Sequence, residues 1–256
     1  MTPASTSSWR NRWLSLMEHI VAVPDEPTLQ QMLARLETPE RPQVLAFVNA
    51  HAMNSAARSS EFHAALLSAD VVLRDGSGMA TLYKMMGRDA GLNLNGTDLI
   101  PKIMARYDGR RIALFGTQDE YAHRARNSMA DELTPHSQID SVHGFHDLDI
   151  YIAMALHQKP DLIVLGMGMP KQELLAIELR KALRSRPCLI ICGGAIIDFL
   201  GGKTARAPEW VRKAGCEWVF RLMMEPRRLF MRYVVGNPAF LVRAASLKYN
   251  SAKPRG

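Results

Sequence analysis

The feature that most constrains the fold is a series of short, almost wholly apolar runs that recurs from residue 44 onward: Val44 to Ala50, Asp70 to Asp75, Arg111 to Thr117, Gln138 to Gly144, Asp161 to Gly168 and Cys188 to Gly194. Several leave no room for a solvated face, which is the pattern of strands covered on both sides. Between them lie segments with helical spacing: Ser55 to Leu67, Met79 to Met86, Leu99 to Tyr107, Glu120 to Leu133, Asp149 to Gln158 and Gln172 to Arg184. Alternating strand and helix imply crossover connections, so the expected class is α/β, with a mostly parallel sheet and helices on both faces. Ligands of such sheets collect outside the carboxyl ends of the strands, where loops and helix N-termini converge.

The segments at those ends are Asn49-Ala50-His51, Asp75-Gly76-Ser77-Gly78, Gly116-Thr117-Gln118, Gly144-Phe145-His146, Gly166 to Glu173, and Gly193-Gly194-Ala195. Glycine there lets backbone approach a ligand closely and aim amides at phosphate. The familiar phosphate motifs are absent. Gly76-Ser77-Gly78 and Gly166-Met167-Gly168 lack the third glycine and the acidic partner of a dinucleotide fingerprint, and no GxxxxGK[ST] run occurs. No GxSxG elbow supports a serine nucleophile. Cys188 and Cys192 lie within an apolar run and, with Cys216, make an odd set without zinc spacing, so free thiols in a reducing compartment are expected. Asp147-Leu148-Asp149 spells an acidic pair of the kind that holds manganese, but it precedes a helix, where aspartate caps free amides. Asp75 ends an apolar strand before Gly-Ser-Gly; a turn or cap aspartate and a catalytic base both fit that place. Lys171, Gln172 and Glu173 open a helix after another strand exit, which ordinary N-terminal helix chemistry also accommodates.

Charge is distributed unevenly along the 256 residues. The net charge is +7, yet residues 203 to 256 hold 12 Lys/Arg against 3 Asp/Glu, leaving the first 202 residues slightly acidic. No window approaches the roughly 18 to 20 uninterrupted apolar residues of a membrane-spanning helix. After residue 200, Trp210, Trp218, Leu222, Met223, Leu229, Phe230 and Tyr233 interleave with arginines, and Pro208, Pro226 and Pro238 break the pattern into short helices. The expected organisation is an N-terminal helical segment (1–40), an α/β domain (41–202) and a basic helical appendage (203–256). Trp9, Trp13, Leu16, Met17 and Ile20 suggest an amphipathic first helix, docked on the body or lying on a membrane surface. No secretory signal pattern opens the chain, so a cytoplasmic location is expected. A basic chain with aromatic-flanked arginines could also bind nucleic acid, but no recognition motif accompanies them.

The pieces are more specific together. Ser68 to Gly78, Asn95-Gly96-Thr97-Asp98-Leu99, Gly166 to Glu173 and Gly193-Gly194-Ala195 with Asp198-Phe199 resemble the WecG/TagA/CpsF family of bacterial glycosyltransferases. The tail continues the likeness with Arg206-Ala207-Pro208-Glu209-Trp210, Gly215-Cys216-Glu217-Trp218, Glu225-Pro226-Arg227-Arg228-Leu229, Arg232-Tyr233 and Asn237-Pro238-Ala239-Phe240. The likeness spans about residues 40 to 242. It implies a Rossmann-like fold and a metal-independent, inverting transfer of a sugar from a UDP-linked donor to a lipid diphosphate-linked saccharide, in cell-surface polysaccharide synthesis on the inner face of the cell membrane. No cofactor is implied. The partners are donor, acceptor and an anionic membrane surface; a second copy of the chain stays open, and nucleic acid is not among them. Two departures stand out: Val48-Asn49-Ala50-His51 stands where many members carry a Thr-Pro-Asn-like segment, so the threonine is absent, and Asn93 replaces an arginine. They leave the donor sugar open and keep a catalytically inactive member as an alternative.

Inversion in one displacement needs a base on the acceptor side and stabilisation of the departing diphosphate. Asp75 fits the base by position, and the resemblance points to it too. Gly116, Thr117, Gly166, Gly168, Lys171 and Gln172 are the donor-binding candidates. Asn49, His51, Asn95 and Asp98 are candidates for sugar or acceptor contact, with a helix cap the other reading of Asp98. Arg221, Arg228 and Arg232, spaced seven and four apart, would share one face of a continuous helix and approach the acceptor.

Overall fold

The computed structural model describes residues 8–184, 186–213 and 215–251. The two ends of the chain, which the expected N-terminal segment and appendage include, lie outside the described residues. Two helices come first, α1 (Trp9–His19) and α2 (Glu26–Glu37). The body runs β1 (Pro42–Val48), α3 (Ala50–Arg58), α4 (Ser60–Ser68), β2 (Val71–Arg74), α5 (Gly76–Met85), α6 (Gly96–Ala105), β3 (Arg111–Gly116), α7 (Asp119–Glu132), β4 (Gln138–Val142), α8 (Leu148–Gln158), β5 (Leu162–Gly166), α9 (Lys171–Leu183), β6 (Cys188–Cys192) and α10 (Ile196–Leu200). The tail contributes α11 (Glu209–Lys213), α12 (Glu217–Met224), α13 (Pro226–Phe230), a π-helical stretch Met231–Val235 and α14 (Gly236–Ser251).

The six strands form one wholly parallel sheet in the order β2-β1-β6-β5-β3-β4, so the chain is α/β and Rossmann-like. Strand alternation builds both sides of the core. Val44, Ala46, Val48, Ile190 and Cys192 face one apolar cluster, which also contains α1, α3, α4, α9 and α14 residues. Leu45, Phe47, Leu189 and Ile191 face the other, beneath α2, α6 and α7. Every residue of β5 and β6 is buried, which explains why those runs read as continuously apolar.

Local chemistry sets the breaks that periodicity alone missed. The segment expected to be one helix from Ser55 to Leu67 is divided at Ser59, whose hydroxyl accepts from the Phe62 N–H at 3.1 Å and starts α4. Asp25 starts α2 in the same way through the Thr28 N–H. The first helix is docked: Trp13 is fully buried, donates its indole N–H to the Met53 carbonyl at 2.7 Å and packs on Phe240, with ring centroids 5.3 Å apart. Cys188 and Cys192 are buried free thiols in the sheet, and Cys216 is exposed.

The order of the strands places the site. The connection from β3 leads outward to β4, whereas that from β5 leads the opposite way to β6. Their exits, paired at Gly116 and Gly166, therefore diverge and open a crevice. The tail closes over the same edge of the sheet, with α14 packed on α3 and α5.

Candidate functional site

At the end of β2, Asp75 occupies the N-cap position of α5 but makes no cap hydrogen bond. Its carboxylate instead accepts from Asn49 Nδ2 at 3.2 Å, while Asn49 Oδ1 accepts from the Ala52 N–H at 3.1 Å. One side chain thus starts α3 and orients Asp75. Burial pushes the Asp75 carboxyl above the usual carboxylate range, against the Asn49 bond and the charges of Arg232, Arg221 and Arg74. That balance suits a base, since desolvation raises its proton affinity and facing cations keep an ionised form accessible.

Two side chains brace the turn carrying Asp75. Arg74 is almost fully buried and donates to the carbonyls of Ala90 at 2.8 Å, Leu92 at 2.8 Å, Gly91 at 3.2 Å and Gly76 at 3.3 Å. Asn93, in place of the arginine often found there, accepts from the Gly76 N–H at 3.3 Å.

Two cavities meet at Asp75. The first, about 620 Å³, lies over the β3/β5 crevice, and the second, about 820 Å³, runs between α5 and the tail. Asn49, His51, Asp75, Thr97, Arg221 and Arg232 line both.

The first cavity has a floor of close backbone. Gly116 itself does not line the cavity, but a Cβ there would stand 2.5 Å from the carbonyl of Gly166, so glycine is needed where β3 ends beside β5. Thr117 follows with φ 54°, a backbone state uncommon outside glycine, held by its hydroxyl donating to the buried Asp198 carboxylate. Asp198 also pairs with Lys203 at 3.3 Å, which brings a tail cation to the cavity wall. Gly166, Gly168 and Gln172 line the wall as well. Gln172 is 1% exposed, donates to Glu173 Oε1 at 2.8 Å and accepts from the Gly194 N–H at 3.0 Å, so its amide locks the β5 and β6 exits together. Burial raises the Glu173 carboxyl to about 7, against the Gln172 bond. Lys171 lines neither cavity; its amine donates to the carbonyls of Gly144 at 3.0 Å and His146 at 2.8 Å. It clamps the loop that presents Phe145, 72% exposed, at the cavity mouth.

The cationic groups come from separate elements. Arg221 is on α12, Arg228 on α13 and Arg232 on the π-helical stretch, so the continuous helix that would align them does not form. Arg221 and Arg232 nevertheless converge beside Asp75, and each has a buried Nε without a hydrogen-bond partner among the described residues. Arg228 is exposed and paired with Glu225, with Nη2 to Oε1 at 2.8 Å. His51 is driven down to about 4 by burial and then by Arg232 and Arg58, which keeps it neutral near pH 7.

Asn95 lines the second cavity while capping α6, its Oδ1 accepting from the Asp98 N–H at 3.0 Å. Asp98 lines neither cavity and binds Arg206 and Arg212 of the tail, the latter at 3.4 Å. Burial alone would raise its carboxyl, but Arg206, Asn95 and Arg212 hold it below the usual range. Asp147 occupies the N-cap position of α8 without a side-chain cap bond. Lys203, Arg58 and Glu217 also reach the cavities. Only Glu217 had a signal in the sequence, as part of the Gly215-Cys216-Glu217-Trp218 run.

The model of the Glycosyl transferase WecG/TagA/CpsF family matches residues 17–254. Two similar curated proteins are each named N-acetylglucosaminyldiphosphoundecaprenol N-acetyl-beta-D-mannosaminyltransferase, from Staphylococcus aureus strains MRSA252 (23% identical) and MW2 (24% identical). Each match covers 90% of this chain and 92% of the relative. With a family match reaching from α1 to beyond α14, the chain belongs to the WecG/TagA/CpsF family of glycosyltransferases.

Proposed function

We propose that the protein transfers a hexose from a UDP-sugar to a lipid diphosphate-linked saccharide, with inversion and without a metal ion. The observation that carries this reading is the pair Arg221 and Arg232, with unpartnered buried Nε groups beside Asp75 where two cavities meet. Buried guanidinium donors without partners call for an anion, and a base within the same junction calls for an acidic proton to remove.

The donor occupies the first cavity, its diphosphate near the backbone of Gly116, Thr117, Gly166 and Gly168, with Lys203 and the arginines offsetting the leaving charge. Gln172 and Lys171 shape this wall instead of holding phosphate directly. The acceptor enters through the second cavity, past Asn95, and places its hydroxyl against Asp75. Asn49 orients the base, neutral His51 accepts or donates a hydrogen bond to a sugar, and Asp98 fastens the tail that completes the pocket. Cationic side chains supply the charge stabilisation that a divalent ion supplies elsewhere. The relatives named above act on an N-acetylglucosaminyl diphosphate lipid, which supports an acceptor of that class.

No helix among the described residues is long and apolar enough to cross a membrane. Outside both cavities the tail exposes Met223, Met224, Phe230 and Val242, apolar side chains suited to shallow insertion at the inner membrane face.

The test is UDP release from a panel of UDP-sugars with short-chain lipid diphosphate N-acetylglucosamine. The expected result is acceptor-dependent release that EDTA leaves unchanged. Loss of activity in EDTA with recovery in manganese overturns the metal-free part, and no release with any donor overturns the whole.

A further inference from the structure

The second cavity contains a carboxylate that the transfer chemistry leaves unused. Glu217 opens α12 and lines this cavity with the polar side chains of Asn93, Asn95 and Thr81; Trp218, Leu222, Phe240 and Leu241 form its apolar wall. Glu217 and Arg221 are one helical turn apart, so both side chains leave the same face of α12. Arg221 belongs to both cavities, whereas Glu217 belongs to the second alone.

The Glu217 side chain is half-buried, with no hydrogen-bond partner among the described residues. The charged groups around it are Arg221, Asp75, Arg206 and Asp98; burial raises its carboxyl first, Asp75 and Asp98 add to that, and the two arginines oppose it. A partly desolvated carboxylate without a protein donor is best served by a ligand that brings hydrogen-bond donors. Diphosphate cannot fill that need, because it is anionic and accepts hydrogen bonds. Sugar hydroxyls and an acetamido N–H can, and two vicinal hydroxyls can bind the two carboxylate oxygens together.

We propose that Glu217 is the saccharide-recognising residue of the acceptor cavity: it accepts hydrogen bonds from the acceptor's terminal sugar and holds that sugar with its reacting hydroxyl toward Asp75. This rests on the acceptor entering through the second cavity. The diphosphate then lies toward the arginines and the lipid along the apolar wall, while the negative charge of Glu217 turns away acceptors that present phosphate at this position.

The test measures binding of two probes to the full chain in detergent micelles, without donor, by isothermal titration: short-chain prenyl diphosphate N-acetylglucosamine and the same prenyl diphosphate lacking the sugar. Glu217→Ala is expected to weaken the sugar-bearing probe at least tenfold and leave the sugar-free probe within twofold; Glu217→Gln, which keeps one acceptor oxygen, loses less. Unchanged UDP affinity in both variants shows that they remain folded. Equal effects on the two probes, no effect on either, or no binding of the sugar-bearing probe to the unaltered chain overturns the proposal. So does a Glu217→Gln variant with a displaced pH profile of transfer but normal acceptor binding, because that behaviour belongs to a group that tunes Asp75. If transfer fails with every UDP-sugar, the glycosyl-transfer reading falls, yet the difference between the two probes still decides the role of Glu217.

Discussion

Replacing Asp75 by Asn tests the centre of the mechanism. The two side chains have nearly the same volume, so α5 and the braced Gly76 turn stay in place, held by Arg74 and Asn93. The amide cannot take a proton, and one amide orientation leaves it facing the Asn49 Nδ2 donor now 3.2 Å from the carboxylate. Loss of a general base costs about 10²- to 10⁴-fold in rate, or roughly 3 to 5 kcal/mol of transition-state stabilisation. Because Gly116, Thr117 and Gly166 lie at the ends of other strands, UDP affinity should change little. The sign with pH follows from the same group: Asp75 acts as a base only when ionised, and burial raises its carboxyl above the usual range. The unaltered enzyme should therefore lose kcat as pH falls through that raised value, while the residual rate of Asp75→Asn shows no such limb. Steady-state kinetics between pH 4.5 and 8.5, with UDP binding by titration, read both quantities. Turnover within threefold of the unaltered chain, with normal donor binding, would refute the assignment.

Gly116→Ala puts a methyl 2.5 Å from the Gly166 carbonyl, where β3 and β5 cannot separate without losing ladder bonds. Urea unfolding should show a loss of about 1 to 3 kcal/mol, and an unchanged midpoint contradicts the close approach. For Glu173 the native carboxyl near 7 lies above its unfolded value, so stability present below the unfolded value is lost as pH rises through 7. That loss is about 3 kcal/mol at most, so Glu173→Gln should be the more stable chain at pH 8.5 and not at pH 4, and parallel pH curves for the two proteins would contradict it. Met223 and Val242, 76% and 69% exposed and outside both cavities, should insert into lipid, so Met223→Glu with Val242→Glu should cut sedimentation with anionic liposomes at least fivefold while leaving UDP affinity intact. Equal sedimentation rejects the apolar docking face.

The sheet was legible in the sequence because burial on both faces leaves an unmistakable record, as in Leu162 to Leu165 and Cys188 to Cys192, where no polar side chain interrupts the strand. Helix boundaries were less legible, since Ser59 and Asn95 act through single local bonds that periodicity does not register. At the site, strand-end residues could be found because topology obliges them to converge. The direction of a side chain could not. Lys171 reads as a phosphate cation, yet it holds a loop by two carbonyls, and Asp98 reads as a sugar ligand, yet its charge is spent on the tail. Arg58 and Lys203 left no trace at all, because nothing in their local sequence records which distant wall they reach.

The excess charge of the tail gains a sharper meaning from where its arginines point. Basic residues of a nucleic-acid-binding face or an electrostatic membrane patch belong in solvent, where they meet a polyanion across water. Here Arg221 and Arg232 turn toward Asp75, Arg206 and Arg212 bind Asp98, and Lys203 pairs with Asp198, so much of the charge faces the body. Outside the cavities the tail also exposes apolar side chains, including Met223, Met224, Phe230 and Val242, beside exposed cations such as Arg227. The two faces have complementary roles. Under the proposed function, the inner one would compensate anions in a site whose body is slightly acidic, and the outer one would meet the lipid that carries one of those anions. A tail of this design would couple membrane contact to completion of the pocket, because the same short helices that touch lipid also carry the cations beside the base.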